Sequence, residues 1–441
     1  MNNQKWIECA LAKGFESFEI YQLLEQTKSV SWFDGQRDSF VTSRVLGTSL
    51  RGTLNGKLAN YSVEDPSDTN MEKVISDMKA QAAAITSDEE AIIRDPEDTV
   101  KVESSKHWVK PSNEEIAKVL ALLEKKAKNY DPRIVQVAGI TWEEIKRKRV
   151  IVNSNGMNVE DESCAQVIYA QVAAAENGEV KADYKVKVVE DLSSFDIDKF
   201  VDELCGETVK KLGSTSLRSG QYPIIMEKGA MTTLLSSFTG IFSGELISKG
   251  ISPLKDSLGK QVFSEKITVI DDPRKTDAVS IANYDDEGCP TREKKVVDKG
   301  TFATILFDSK SAKKMGYEST GNGFRGSYTS PIGIAPKNLY IVPGDNDLDA
   351  LCENMGEGLV ITGLMGMHAG IDFVTSNFSL QCSGYWVKDG KRDHSVSLIT
   401  MAANFLELMK DVEEVGNDIE WGYGNVACPS VRFTSCAISG E

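Results

Sequence analysis

The stretch DSFVTSRVLGTSLRGTLNGKLANYSV, residues 38–63, decides the fold class of this chain. Residues typical of β-strands flank Asn55-Gly56, the dipeptide that most strongly favours the tight turn of a β-hairpin. We therefore predict two antiparallel strands, 38–51 and 57–63, joined at this turn. Working outward, the same residue types predict earlier strands at 17–25 and 28–33.

Further hairpins are predicted towards the middle of the chain. Asn155-Gly156 and Asn177-Gly178 follow or separate strand-like segments at 133–152, 165–174 and 180–188. Repeated short turns of this kind join neighbouring strands that run in opposite directions. The sheet of the first half is therefore predicted to be mainly antiparallel.

Helices are predicted beside these strands. The clearest is 68–84, where apolar residues from Met71 to Met78 recur at positions i, i+3, i+4 and i+7. Because helices and strands come in blocks rather than in strict alternation, the sequence predicts an α+β fold. Residues 86–112 are polar and are predicted to be an irregular connection. The other predicted helices of this half are 3–13, 113–129 and 196–212.

A small polar segment divides the chain. It is GSTSLRSG, residues 213–220, and a chain of 441 residues is long enough for two or three domains. We predict an N-terminal α+β domain at 1–215 and a C-terminal β-rich domain with a few packed helices at 216–441. Predicted elements of the second domain include a strand at 278–283 and helices at 228–242 and 401–413.

The charge balance is strongly acidic. The chain has 50 Lys and Arg against 66 Asp and Glu, a formal net charge of −16. Such a surface repels phosphate backbones, so direct binding of nucleic acid is not expected. The longest basic run, Lys146–Arg149, is interpreted as a solvated strand end.

Cysteine usage indicates a reducing compartment. The eight Cys are scattered and form no CxxC pair, which favours free thiols over a disulfide framework. The N-terminus has no signal-peptide pattern, and no apolar run is long enough to span a membrane. We therefore expect a cytoplasmic protein that does not insert into membranes.

Two short runs match parts of known binding motifs but lack the other features that those motifs require. Residues 321–326, GNGFRG, fit GxGxxG, but prolines follow and no helix can open there, so nucleotide binding is rejected. The loop leaves Arg325 as an anion or peptide contact. The DxDxD run at 345–349 lacks the glycine and glutamate of a calcium loop and is interpreted as a helix start.

Catalytic signatures are absent from the sequence. The only three histidines are His107, His368 and His394, and no two of them share a helix, as a zinc helix of the HExxH type requires. Cys382 and Cys428 are the thiols that could act as nucleophiles if the fold brought either of them to His368 or His394.

The predicted helix at 228–242 is informative about function. It has an apolar stripe that includes Leu234, Leu235 and Phe238, and its remaining positions past Lys228 are hydroxyl or small residues. Nothing along that stretch ionises near neutral pH. This helix can pack, but it cannot bind a metal or transfer a proton.

Several segments together resemble the TldD/PmbA family, whose members are described as metallopeptidases and, historically, as modulators of DNA gyrase. The resemblance covers most of the chain and is strongest over 222–441. It is carried by SPLKDSLGKQVFSEKITVIDDP, YDDEGCPTREKKVVDKG, STGNGFRGSY, MGEGLVITGLMGMHAGID, GYWVKDGK and VGNDIE.

The resemblance implies the PmbA/TldE type rather than the TldD type. TldD subunits carry an HExxxH helix and a C-terminal cysteine as zinc ligands. Matched to this chain, the two histidines fall near Leu235 and Gly240, the glutamate near Ser236 and the cysteine on Cys428. Only a thiol remains, so no metal and no catalytic residue is expected in this chain, and zinc is expected in a TldD-type partner.

The resemblance therefore implies a non-catalytic subunit of a TldD/TldE zinc metallopeptidase that shapes a cleft for peptides or unfolded proteins. Asn322, Arg325 and Tyr328 are the predicted substrate contacts. A homodimer is possible when the chain is alone. Two alternatives remain open: an autonomous hydrolase using Cys382 or Cys428 with His368, and an interaction protein that modulates gyrase.

Overall fold

The N-terminal half is built on one antiparallel sheet. The computed structural model describes residues 1–86 and 92–441. The spatial order of the six strands is β3-β2-β1-β4-β5-β6. Asn55-Gly56 and Asn177-Gly178 both have positive φ at each position, as a two-residue hairpin turn requires. The strands are β1 Ser17–Phe33, β2 Gln36–Leu54, β3 Lys57–Glu64, β4 Ile134–Asn153, β5 Asn158–Glu176 and β6 Glu179–Val188.

Helices cover one face of this sheet. Ile20, Leu50 and Ile140 point into the cores beneath them. Ser112 and Glu115 form a capping box at the start of α3, as that sequence pattern favours. Parts of the second half of the chain lie against the opposite face. The helices are α1 Asn3–Ala12, α2 Met71–Ala84, α3 Asn113–Lys128, α4 Ile197–Val201 and α5 Glu207–Lys210, the last two joined by a π-helical turn at Asp202–Gly206.

The C-terminal half contains a small closed barrel. Its ring is β14-β7-β20-β17-β16, closed by pairing of β14 with β16, while β15 and β18 flank it. Helix α6, Lys228–Phe238, continues as a 3₁₀ turn to Phe242 and packs in the main core. The strands are β7 Gly220–Met226, β14 Gly358–Met365, β15 Ile371–Asp372, β16 Asn377–Lys388, β17 Lys391–Asn404, β18 Val412–Val415 and β20 Val431–Ser439.

A second sheet, with the order β10-β9-β8-β13-β19, and the small β11-β12 hairpin lie beside the barrel. The strands are β8 Val269–Asp271, β9 Lys294–Asp298, β10 Thr301–Phe302, β11 Gly323–Arg325, β12 Ile332–Ile334, β13 Leu339–Ile341 and β19 Val426–Ala427. The helices are α7 Gly244–Ser248, α8 Ser309–Met315, α9 Leu348–Met355 and α10 Phe405–Lys410.

The predicted α+β class is confirmed, and the strands pair mostly antiparallel. Among the strands of the described ranges, β14–β7 and β13–β19 are the parallel pairs. The division at 215/216 stays a prediction. None of the helices in residues 1–86 and 92–441 has the length and apolarity needed to cross a bilayer.

Three local predictions were wrong. The two strands predicted at 17–25 and 28–33 are one continuous strand, β1. Residues 278–283 form no strand; Ser280 O instead accepts from Asn338 Nδ2, so a side chain takes the place of a strand partner. The helix predicted at 401–413 is only Phe405–Lys410, because residues up to Asn404 extend β17.

Candidate functional site

A cavity of about 540 Å³ lies between the uncovered face of the N-terminal sheet and loops of the C-terminal half. From the sheet it is lined by Tyr21, Gly47 and Arg149 among others. From the other side it is lined by 324–328 and Lys337. A volume of this size is typical of sites for small ligands.

Two segments that carried the family resemblance form the C-terminal wall, and hydrogen bonds from backbone N–H groups to a carbonyl and to two carboxylates join them. Asp286 N donates to Gly323 O at 2.8 Å, and Asp286 Oδ2 accepts from Arg325 N at 2.7 Å. Asp285 Oδ2 accepts from Gly323 N at 2.9 Å. The acidic YDDEG loop therefore fixes the backbone that presents Arg325.

Arg149 fastens this acidic loop to the sheet. Its guanidinium donates to Asp286 Oδ1 at 2.7 Å and to Tyr284 O at 2.6 Å, and it also pairs with Asp161 on β5. The interpretation of Lys146–Arg149 as a solvated strand end was wrong. The run lies well inside β4, and alternation along the strand places Arg147 and Arg149 on the cavity face.

Arg325 lines the cavity. Its Nη1 donates to Ser49 Oγ at 3.1 Å and to Ser330 O at 3.2 Å, and its guanidinium lies 4.9 Å from the ring centroid of Tyr21. Burial lowers the pKa of Arg325, and nearby Arg51 lowers it further. Arg325 forms no direct ion pair with any described residue, although the nearby carboxylates of Glu19 and Asp286 act against the lowering of its pKa.

Tyr328 also lines the cavity, and its position depends on a glycine of β2. A Cβ added at Gly47 would lie 2.1 Å from Tyr328 Cδ1, so only glycine lets the ring pack on the strand. The Tyr328 hydroxyl donates to Glu64 Oε1 at 2.7 Å. The ring is therefore held at the cavity wall from both ends.

Asn322 occupies a different position from the other two predicted contacts. Its side chain is fully buried, donates to Asp271 Oδ2 at 2.8 Å and to Ala335 O at 3.0 Å, and does not line the cavity. The structure thus brings Arg325 and Tyr328 together at the cavity and places Asn322 behind them as a support.

Lys337 is a cavity residue that the sequence analysis did not select. Its Nζ donates to Ser280 Oγ at 2.9 Å and to Asn425 Oδ1 at 3.2 Å, with no carboxylate partner in the described part of the chain. Burial and the neighbouring Arg149 lower the pKa of Lys337 to about 8.

Helix α6 is packed rather than poised for chemistry. Leu234, Leu235 and Phe238 are fully buried, and the ring of Phe238 stacks on that of Phe405 with centroids 4.3 Å apart. The hydroxyl of Thr233 donates to Gly229 O within the helix. Residues 229–242 contain no group that ionises near neutral pH, which is consistent with a helix that packs in the core.

The residues that the resemblance matched to zinc ligands do not fit a zinc ion. Leu235 has no donor atom, and a Cβ added at Gly240 would meet the ring of Phe373 at 3.0 Å. Cys428 lies beside the helix, where its N–H donates to Thr232 Oγ1 at 3.0 Å. Burial raises the pKa of the Cys428 thiol to about 12, which disfavours the thiolate that binds metals. No cluster of three or more His, Cys, Asp or Glu residues suited to a metal occurs in residues 1–86 and 92–441.

The thiol chemistry considered as an alternative is not favoured. Cys382 is fully buried in β16, and burial raises the pKa of its thiol to about 12, so it stays protonated at neutral pH. His368 is exposed in a turn. Neither Cys382 nor Cys428 has a hydrogen bond to His368 in the described structure.

The chain thus combines an antiparallel sheet, a small barrel and a cavity between the sheet and loops of the C-terminal half. Two family models match this chain: the PmbA/TldA metallopeptidase central domain over residues 106–216 and the C-terminal domain over 219–440. The chain belongs to the PmbA/TldD metallopeptidase family, as the sequence predicted.

Relatives and solved structures agree with this family. The chain is 29% identical over 336 residues to metalloprotease PmbA of Escherichia coli O157:H7, covering 76% of this chain and 72% of the relative. A Thermotoga maritima MSB8 protein, described as a candidate modulator of a DNA gyrase, superposes with a TM-score of 0.89 at 27% identity and 99% coverage of both chains. TldE from Thermococcus kodakarensis has the same fold, with a TM-score of 0.90 at 23% identity and 99% coverage of both chains.

Proposed function

We propose that this chain is the TldE-type subunit of a metallopeptidase whose zinc is held by a TldD-type partner. The chain itself is non-catalytic and needs no metal. The observation that carries the proposal is helix α6, in which the position of the first zinc histidine is the fully buried Leu235. A side chain without donor atoms in a packed core leaves no room for a metal and its activated water.

In this proposal the cavity contributes to substrate binding. Arg325 and Tyr328 contact a peptide or an unfolded segment, whereas Asn322 only supports the loop from behind. A surface with a net charge of −16 supports a peptide substrate over a nucleic acid. The eight free cysteines support a reducing compartment, so we place the complex in the cytoplasm.

The test is co-expression of this chain with a TldD-type chain from the same genome. We expect a stable complex on size exclusion, about one zinc per heterodimer by elemental analysis, and peptide cleavage that a chelator abolishes. The isolated chain, either monomer or homodimer, should contain no stoichiometric zinc and should not cleave peptides.

The matched control is the TldD-type chain alone. If it forms no complex with this chain and cleaves peptides equally well without it, the subunit proposal is wrong. Chelator-sensitive cleavage by the isolated chain would contradict the non-catalytic assignment. Cleavage that survives chelation but is lost on thiol alkylation would instead indicate the autonomous cysteine hydrolase.

A further inference from the structure

One edge of the Arg325 guanidinium has no partner. Nη1 is occupied by Ser49 Oγ and Ser330 O, and these two bonds fix the orientation of the group. Nε and Nη2 are buried and have no hydrogen-bond partner. A buried N–H group without an acceptor destabilises the folded state, so such groups are rare in native proteins and call for an explanation.

Elsewhere in this molecule the same edge binds carboxylates. Arg133 donates from Nε to Asp131 Oδ1 at 2.9 Å and from Nη2 to Asp131 Oδ2 at 2.8 Å. Arg51 uses Nε and Nη2 on Glu19 Oε1, at 2.9 and 2.6 Å. The parallel N–H groups of this edge match the two oxygens of a carboxylate. Arg325 therefore leaves unused the part of its side chain that is suited to a carboxylate.

The ion pairs of the cavity lining also leave Arg325 without a carboxylate partner. Each carboxylate in the lining already has a cation: Glu25 pairs with Arg147, Asp161 and Asp286 with Arg149, and Glu162 with Lys148. The lining holds four cations and four carboxylates, so its formal charge is zero, and its cations without a direct carboxylate partner among the described residues lie at Arg325 and Lys337.

We propose that the cavity binds a carboxylate on the unpaired Nε/Nη2 edge of Arg325 once the side chains that cover this edge move aside, with Lys337 as a second cationic contact, and that this carboxylate is the C-terminus of a short peptide. A lone carboxylate ion would occupy only a small part of about 540 Å³. The lining also includes apolar side chains such as Val45, Ile145 and Phe324, which can receive peptide side chains.

The choice of a peptide rests on the proposed function, whereas the carboxylate site itself stands on the geometry of Arg325. The site would fix the free end of a peptide in the non-catalytic subunit. Substrates with a nearby C-terminus would then be favoured over internal segments of long chains.

The test is isothermal titration calorimetry on the full wild-type chain. The probes are N-acetyl-trialanine with a free carboxylate, the same tripeptide as its C-terminal amide, and sodium acetate. We expect the acid to bind at least about ten-fold more tightly than the amide, because only the acid can accept both guanidinium N–H groups as an anion. Acetate should compete only at far higher concentration than the tripeptide.

Three variants locate the site. R325K keeps the charge but removes the planar edge, and we expect at least about a ten-fold loss of affinity for the acid. Lys337→Gln should weaken the acid several-fold and the amide little. Arg44→Gln, which removes a similar charge from an exposed position of β2, should bind as the wild type does. Thermal unfolding of each variant verifies that it is folded.

Equal affinity of the wild type for acid and amide, or no binding of either, would overturn the carboxylate site without relying on any variant. Acetate that competes as well as the tripeptide would overturn the peptide assignment. Assembly with the TldD-type chain is measured without peptide, so failure of this inference and failure of the proposed function are told apart.

Discussion

Arg149 and Asp286 form a 2.7 Å ion pair that joins the N-terminal sheet to the acidic loop of the C-terminal half. Their side chains are only 13% and 7% exposed. The two residues are 137 positions apart, and the pair forms one wall of the cavity. Removing either side chain would leave the other charge buried without an opposite charge beside it, which destabilises the fold.

Replacing Arg149 with methionine should therefore be strongly destabilising. It leaves Asp286 and Asp161 without their shared cation, and we expect a loss of about 3–5 kcal/mol in the free energy of unfolding. Urea unfolding followed by tryptophan fluorescence measures the change. The control is Arg133→Met, whose side chain is 37% exposed and whose ion pair with Asp131 is screened by solvent, so a much smaller loss is expected. Equal effects of the two substitutions would contradict the role given to Arg149.

The close approach of Gly47 to Tyr328 gives a second prediction. Gly47→Ala places a Cβ 2.1 Å from Tyr328 Cδ1, so the ring must move, and we expect about 1–3 kcal/mol of destabilisation. Combining it with Tyr328→Ala should remove most of this clash, giving a clear coupling energy in a double-mutant cycle of unfolding free energies.

Gly139→Ala is the matched control for this cycle. An added Cβ at Gly139, also in the sheet, would meet nothing within 4 Å, so no destabilisation is expected. If Gly47→Ala behaved as Gly139→Ala does, the ring of Tyr328 would not be packed against β2 in solution.

The sequence predicted those features whose causes are local. Asn55-Gly56 and Asn177-Gly178 specify hairpin turns through the conformations of two residues, and both turns are present. The apolar stripe through Leu234 and Phe238 predicted a buried helix for the same reason, since its period is a property of a few turns.

The cavity could not be predicted in the same way, because its contacts join distant parts of the chain. Arg325 reaches Ser49 across 276 positions, and nothing in either local sequence indicates the other. Asn322 and Arg325 belong to one glycine-rich segment that leads into and forms β11, yet the Asn322 side chain points into the interior and the Arg325 side chain to the cavity. Alternation within β4 could have shown that Arg147 and Arg149 share a face, but not what lies opposite them.

Helix α6 allows a direct test of its structural role. Leu235→Ala removes a fully buried side chain from the core and should cost about 2–5 kcal/mol in unfolding free energy. Ser236→Ala, on the exposed side of the same helix, should change stability by no more than about 0.5 kcal/mol. Chemical denaturation compares the two. Similar small effects for both would mean that Leu235 is not packed and that the zinc position is more open than described.

The proposed carboxylate site should depend on pH through Lys337. Burial first, then Arg149 and Arg147, lower the pKa of Lys337 to about 8, while Asp286 and Asp271 oppose this. Ser280 and Asn425, its hydrogen-bond partners, do not titrate in this range. Below pH 8 the ammonium attracts the carboxylate of N-acetyl-trialanine, and above pH 8 the neutral amine does not.

Affinity for this acid should therefore fall by about five-fold from pH 7 to pH 9, since a charge-assisted hydrogen bond is worth about 1 kcal/mol more than a neutral one. Calorimetry across this range measures the change, and the peptide carboxylate stays ionised throughout. Lys337→Met removes the titrating group and should give weaker binding that no longer varies with pH. A pH dependence that persists in Lys337→Met would assign the titration to another group, and a flat profile in the wild type would separate Lys337 from the ligand altogether.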